Sequence, residues 1–566
     1  MVTLAPGSRI ISGTGAFLQA KLIAAVLLLS GAAYAQDINP PKLSHTVVEW
    51  DAARAALGAI EGSYRATAPA DKAPAADVLA QLNRTTGKIF PNIAASPVPV
   101  LLPFNIDGFL GRRDGEPAGF LTEFGRPKFF LAGPAGYDAA FSLTLPPGSH
   151  SAKPRDVHIQ ISGFGFLYEL EERMGGEEKP PVGLQAEFPG LRRLYFESHM
   201  RYLFTRHGVL YDVSVECFDA PSSKRLSCTD AHDVVARFLK ALNIAGGTPQ
   251  GAPSKPPGTA ARPRKQSPGF SYYPPGQLIS GTGARQRDGD PDYTVYAPIR
   301  FPLADAPAQI YSQIFINLGD CTAMLGDSQT LRRHGAPFRC APGKLASSAD
   351  MPNGGQNTYP WRDNFCESRA YSVGQCPSGR GHQGQDLVPV GCALSSSDSD
   401  ECDRSHHRVV AAHDGVVWRT PKQEGLTIIA NAEGRHVRFR YQHMNPHAVD
   451  ASGFFSGRAV REGEIIGKVS NFSGRKAGTS YHLHFDMQVP TKDGWVLVNP
   501  YMTLVSAYER VIGGRGVEIK EAPAAASNAD IGDTAGIPPE YKAPRKDVRK
   551  TTGKTRSAAR PKRHGK

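Results

Sequence analysis

The segment that most constrains the fold is Tyr481-His482-Leu483-His484-Phe485-Asp486-Met487-Gln488-Val489, in which apolar and polar residues alternate from Leu483 onward. Alternation of this kind is the pattern of a strand, because successive side chains leave opposite faces. Leu483, Phe485, Met487 and Val489 share one face and require a core; His482, His484, Asp486 and Gln488 share the other. Two imidazoles at i and i+2 on one face can converge on a metal-centred site, although a lone pair of this kind is more commonly two surface histidines on an edge strand. A second alternating run, His436-Val437-Arg438-Phe439-Arg440-Tyr441-Gln442-His443, puts His443 on the face of Tyr441 and Phe439, pointing inward where the strand ends.

A third segment, Arg380-Gly381-His382-Gln383-Gly384-Gln385-Asp386-Leu387, adds an imidazole and a carboxylate four residues apart. That even step lies on one face of a strand and also stacks on a helix, and the flanking glycines argue against the helix. His382, Asp386 and His484 together make a His₂Asp set. Three protein ligands and an open fourth position is the pattern of catalytic zinc, whereas structural sites close that position and lean on Cys. Thiol-free, nitrogen-rich donors also suit Zn²⁺ better than Ca²⁺ or Mg²⁺. A partly buried histidine is ordinarily a satisfied core residue; beside such a set, His443 would supply a proton-transfer group.

Residues 376–505 resemble the lysostaphin-type, or LytM-type, zinc metalloendopeptidases that cut peptidoglycan peptides. The resemblance holds at four ordered places. His-x-Gly-x-Asp stands at 382–386, and Val-Ala-Ala-His-Asp-Gly-Val-Val at 410–417. Tyr441-Gln442-His443-Met444 follows, and Glu462-Gly463-Glu464-Ile465-Ile466-Gly467 precedes His482-Leu483-His484-Phe485. The resemblance implies a mainly β catalytic domain of antiparallel sheets with the site in a groove. It implies His382, Asp386 and His484 as ligands of one Zn²⁺, with His443 and His482 as the catalytic, non-ligand pair and the general base unassigned between them. Peptidoglycan is the implied substrate. Members lacking ligands serve instead as non-catalytic regulators that activate amidases, and all three ligand positions are filled here. Two features depart from the family pattern: an insertion holding Cys392 and Cys402 before Val409, and Tyr481 where small residues or Pro are usual.

The remainder of the 566 residues divides by pattern, and the 59 Gly and 46 Pro foretell much loop. The apolar run 22–33 follows Lys21 and ends in Ala33-Tyr34-Ala35. It is shorter than the roughly 20 residues a bilayer crossing needs and reads as a signal peptide over 1–35. The protein is therefore expected to be exported to the periplasm or the exterior, in the cell envelope. Residues 36–245 read as an N-terminal α+β domain of unknown type, with helices at 47–66, 75–82 and 231–242. Short strands lie between them, including a hairpin about Arg206-His207-Gly208. Residues 246–290 read as a Pro/Gly-rich linker, 291–510 as the zinc metallopeptidase domain, and 511–566 as a disordered basic tail. Asp288-Gly289-Asp290-Pro291-Asp292 lacks the Glu that a calcium loop needs at its twelfth position, where Ile299 stands. The repeated Ser-Gly-Thr-Gly-Ala at 12–16 and 280–284 makes no phosphate loop.

The formal charge is +12, and residues 542–566 hold eleven Lys or Arg and one acid, so +10 belongs to the tail. A tail without aromatic interleaving, on an exported chain, does not point to nucleic acid. An anionic envelope polymer or membrane surface is the expected partner. The eight cysteines fall as neighbours, Cys217/Cys228, Cys321/Cys340, Cys366/Cys376 and Cys392/Cys402, with no Cys-x-x-Cys. An oxidising compartment and an even count predict four disulfides. Thiol labelling of denatured mature protein should give no signal without reductant; stoichiometric labelling would refute the oxidising compartment.

Overall fold

The computed structural model describes residues 38–67, 77–111, 115–146, 154–170, 177–180, 182–196, 199–217, 226–250, 261–278, 291–310, 332–333, 336–337, 360–369, 371–389, 407–432, 435–476, 478–479 and 481–519. The expected signal peptide, the Cys321/Cys340 and Cys392/Cys402 pairs and the tail beyond 519 lie outside these residues. No described helix is long and apolar enough to cross a membrane.

Two antiparallel sheets dominate, so the fold is mainly β. The N-terminal sheet contains β1 (Phe129–Gly133), β2 (Gly136–Leu145), β3 (Arg155–Phe164), β4 (Glu177–Glu178), β5 (Arg192–Phe196), β6 (His199–Arg206) and β7 (Val209–Glu216). Their order is β1-β2-β3-β7-β6-β5-β4. One face carries Tyr137, Phe141, Ile159, Ile161, Tyr211 and Val213, which share a core with Leu57 of helix α1 (Trp50–Thr67), Leu79 of α2 (Val78–Thr86) and Phe238 of α3 (Cys228–Lys240). Asp77 and Ser227 cap α2 and α3 by accepting from Ala80 N and Asp230 N, which satisfies backbone donors that a helix start leaves open. The β6–β7 turn holds His207 and Gly208 at φ of 52° and 75°, the paired positive values of a tight hairpin. The other face of this sheet is polar: Asp138, Gln160, Ser162, Asp212 and Ser214.

The C-terminal sheet contains β8 (Ala308–Ile310), β9 (Gln385–Pro389), β10 (Gly415–Trp418), β11 (Leu426–Ala432), β12 (Arg435–Gln442), β13 (Ala459–Val460), β14 (Leu483–Thr491) and β15 (Gly494–Val498). The order is β8-β9-β14-β12-β11-β10-β13, with β15 paired to β14. Val437, Phe439, Tyr441, Leu483, Phe485 and Met487 enter a core shared with Leu504 and Val505 of helix α4 (Tyr501–Ile512). The opposite face is polar and in register: Arg438 stands across from Gln488, Arg440 from Asp486 and Gln442 from His484.

Two boundaries differ from the sequence reading. Gln266–Tyr272, inside the expected linker, pairs in parallel with Arg515–Glu518, inside the expected tail. Phe270 and Tyr272 join the C-terminal core, the Phe270 ring 4.8 Å from both Trp361 and Tyr508. Pro and Gly around three aromatic residues hid this strand, because only its partner and the core beneath it make it one.

The two polar faces meet. Arg438 donates to Asp138 at 2.6 Å and to Ser162 at 3.2 Å, and its guanidinium lies 4.0 Å from the Trp495 ring centroid. Trp495 donates its indole N–H to Ser162 at 2.9 Å and its backbone N–H to Asp212 at 3.2 Å, and its carbonyl accepts from Arg201. Asn431 bridges to the β1–β2 turn through Gly136 O at 2.7 Å and Ala135 N at 2.9 Å. A buried ion pair of this kind adds little net stability, but removing one partner alone typically costs about 3–5 kcal/mol.

Beside that pair His436 is fully buried, its imidazole without a hydrogen-bond partner among the described residues and its ring 4.9 Å from that of Trp495. Burial pushes it down to about 3, while burial raises Asp138 to about 6 against the pull of Arg438. The signs oppose. A depressed histidine contributes stability above its unfolded pKa of about 6.5 that is lost as pH falls towards 3. A raised aspartate contributes below about 4 what is lost as pH rises through 6. The two slopes offset each other between pH 4 and 6. His436→Asn should therefore gain stability relative to the parent as pH drops from 6.5 to 4, by up to about 3 kcal/mol. Urea unfolding across that range tests it, and parallel profiles would refute it.

Candidate active site

The site is assembled by strand register. Asp386 on β9 stands directly opposite His484 on β14, and Gln385 opposite Phe485. The close approach at the start of β9 requires Gly384, where a Cβ would lie 2.3 Å from the carbonyl oxygen of Phe485. His382 is not on that strand, contrary to the even-step reading. It precedes β9 in a loop stapled by the Cys366–Cys376 disulfide, where Cys366 N donates to His382 O at 3.0 Å and His382 N to Glu367 O at 2.8 Å. Gly381 in that loop has Cys366 Cα 2.7 Å from where its Cβ would be. The second described disulfide, Cys217–Cys228, ties β7 to α3; both described pairs follow the neighbour pairing.

His382 Nε2 lies 3.0 Å from His484 Nδ1 and 3.3 Å from Asp386 Oδ1, and His484 Nδ1 lies 3.2 Å from the same oxygen. All three residues are buried. They form the group of His, Cys, Asp or Glu among the described residues whose donor atoms, within 4.8 Å of one another, could hold a metal ion. Asp386 Oδ2 is buried with no hydrogen-bond partner among the described residues. Two imidazole nitrogens and a carboxylate aimed at one point, without a thiol, fit Zn²⁺. Burial pushes His382 down, keeping it neutral with a lone pair to give. Asp386 is held well below the carboxylate range, because His382 and His482 outweigh the cost of its burial.

The far nitrogens are also fixed. His382 Nδ1 lies 2.9 Å from Asn364 O. His484 Nε2 lies 3.4 Å from Asp486 Oδ2, an oxygen that also accepts from Arg440 at 2.6 Å and Gln442 at 3.3 Å. Burial opposes the charge on Asp486, but adjacent Arg440 holds its pKa down. Arg440 reaches on to Gln383 at 2.7 Å. Such outer partners set ring orientation in histidine sites.

His443 and His482 sit beside this group. Their ring centroids are 4.7 Å apart, His443 is 6.1 Å from His484, and His482 Nε2 is 3.5 Å from Asp386 Oδ1. His443 reaches this place by breaking the alternation: β12 ends at Gln442 and His443 takes φ of 67°. Its ring therefore packs against the other histidines instead of following Tyr441 and Phe439 into the core. Its Nδ1 lies 2.7 Å from Phe472 O and 3.4 Å from Glu424 Oε1, and His443 in turn draws down the pKa of the half-buried Glu424 against the effect of burial.

Residues 402–500 match the model of peptidase family M23, a family of metallopeptidases. His443, His482 and His484 fall inside the match, and His382 and Asp386 precede it. Within the C-terminal sheet domain, the segment 402–500 is thus similar to the M23 peptidases. A crystal structure described as a putative glycyl-glycine endopeptidase lytM from Ruminococcus gnavus ATCC 29149 is similar at 20% identity and a TM-score of 0.17. The similarity covers 25% of this chain and about half, 51%, of that one. No curated protein matches the chain.

Sequence reasoning missed Asn364, Glu424, Asp363 and the Arg440–Asp486 pair. Arg440 and Asp486 were visible as polar members of alternating strands; nothing local marked the others. Asp363 is the brace behind the His382 loop. It accepts from Gly276 N at 2.7 Å, Phe365 N at 2.9 Å, Gln385 Nε2 at 2.6 Å and Asn499 Nδ2 at 2.5 Å. Asp363→Ala would strand three buried donors and the half-buried Gly276 N–H, and should lower stability by about 3–5 kcal/mol, with Asp363→Asn costing less. Equal losses in the two variants, read by urea unfolding, would show that the acceptors do not matter.

Proposed function

We propose that the protein is an exported zinc metalloendopeptidase that hydrolyses peptide bonds in peptidoglycan stems or cross-links. The observation that carries this reading is the convergence of His382, Asp386 and His484 beside His443 and His482, in a domain whose segment 402–500 is similar to the M23 peptidases. His382 Nε2, His484 Nδ1 and Asp386 would hold the ion. When bound, Zn²⁺ supplies a Lewis-acid charge that acidifies water and polarises a peptide carbonyl.

The chain's own groups do the rest. Glu424 and the Phe472 carbonyl hold Nδ1 of His443, which leaves Nε2 to exchange a proton with water or substrate. His482 is almost fully buried, beside Asp386 and His443. It is the second proton-exchanging group, and one of the pair takes the water proton while the other donates to the oxyanion or the leaving amine. Arg440 and Asp486 keep the His484 ring oriented. The apolar face of the sheet beneath gives the group a rigid floor.

His484→Ala and His382→Ala should each lose zinc, since two remaining ligands compete poorly with water. His443→Ala should retain zinc and lose turnover by about 10²–10⁴-fold. Metal analysis of the variants, with mass spectrometry of fragments released from purified sacculi, tests both. Full zinc occupancy in His484→Ala would overturn the ligand assignment. A zinc-loaded parent that releases no peptide from sacculi would overturn the enzyme reading in favour of a wall-binding regulator.

A further inference from the structure

The polar faces of the two sheets close on each other at one end and part at the other. The Asp138, Ser162 and Asp212 row of the N-terminal sheet is sealed against Arg438 and Trp495. One row further along those strands, Gln160 and Ser214 stand opposite each other, and the row after that pairs Glu216 with His199. Here the faces separate into a groove of about 580 Å³. Its floor is the Arg438, Arg440 and Gln442 face of β12 with Gln488, its rim is Lys422 to Thr427, and its far wall is the N-terminal sheet. A smaller recess of about 220 Å³ continues it between His158, Glu216 and Thr420.

The groove runs to the candidate active site. Glu424 and Gln442 line it, and these touch His443 and Asp486. From the His484 row to the Gln488 row is four residues of antiparallel strand, about 14 Å, which is the span of about four residues of an extended peptide. The lining is polar throughout except for Trp418, Leu426 and Ile429, and it carries both signs: Arg201, Lys422, Arg438 and Arg440 against Glu216 and Glu424. An apolar ligand would gain little there and would strand polar groups. Arg438, Arg440 and Glu424 already have partners in Asp138, Asp486 and His443, and a peptide bearing ammonium and carboxylate groups would complement the mixed signs of this wall without stranding them.

We infer that the N-terminal sheet is one wall of the substrate groove, and that Gln160, Ser214 and Glu216 bind the part of a charged peptide lying beyond the cleaved bond. This deepens the peptidase reading and rests on it for the word substrate. The N-terminal part then selects substrate directly, as a specificity wall.

The test uses the zinc-loaded full chain and a cross-linked stem-peptide dimer prepared from sacculi. Calorimetry on the parent, Glu216→Gln and Gln160→Ala measures binding; initial rates measure KM and kcat. Each variant should bind the dimer about tenfold more weakly, the loss of one hydrogen bond to a charged group. The loss should appear in KM with kcat held, while metal content and unfolding midpoint stay at parental values. Binding unchanged in both variants would overturn the inference. So would faster cleavage in them, which would mean that the N-terminal sheet obstructs the groove. If the parent cleaves nothing but binds the dimer, and the variants bind it tenfold less well, the peptidase reading fails and the groove assignment stands. A parent that binds no dimer refutes the groove.

Discussion

The pairing of β9 with β14 is the constraint on which the site depends. It joins residues about a hundred positions apart and sets Asp386 opposite His484 in a register that Gly384 permits. A slip of one residue would turn Asp386 into the core and bring Leu387 to the polar face, because side chains alternate. The core side of the same strands, with Leu483, Phe485 and Leu387 buried together, makes that slip expensive. Hydrophobic burial thus fixes the geometry of a polar site that contributes little to holding itself together.

Around that pairing the protein spends several buried polar groups on position. The Asp363 network holds the loop that presents His382, Arg440 and Asp486 hold His484, and Glu424 with the Phe472 carbonyl holds His443. Each is costly to desolvate and is held by hydrogen bonds or ion pairs to its neighbours. Charged braces surround the histidines, while Asp386 Oδ2 and Asp486 Oδ1 are buried with no hydrogen-bond partner among the described residues.

The two sheets use one physical device twice. Each buries an apolar face under its own helices and turns a polar face towards the other. Where those faces touch, Arg438, Asp138, Ser162, Asp212 and Trp495 saturate one another; where they part, unlike charges line a groove. The interface therefore both fixes the N-terminal sheet and leaves its outer rows within reach of the same cleft as the histidines.

Strand identity and the polar and apolar faces of β12 and β14 were legible in the sequence, because a period of two is a local property that neighbouring residues express. His482 and His484 were legible for the same reason, and the two described disulfides were legible from the spacing of neighbouring cysteines. The position of His443 was not: a single positive φ ended the alternation, and no neighbour signals it. The strand at 266–272 was also hidden, since a parallel partner some 245 residues on is a tertiary fact. Likewise the convergence of His382 with His484, the bracing by Asp363 and the facing of two polar sheets exist only once distant strands pair. Sequence determined which residues could do chemistry and which faces must be buried; tertiary packing decided which of them meet, because register and sheet-on-sheet contact are set by cores that no single segment contains.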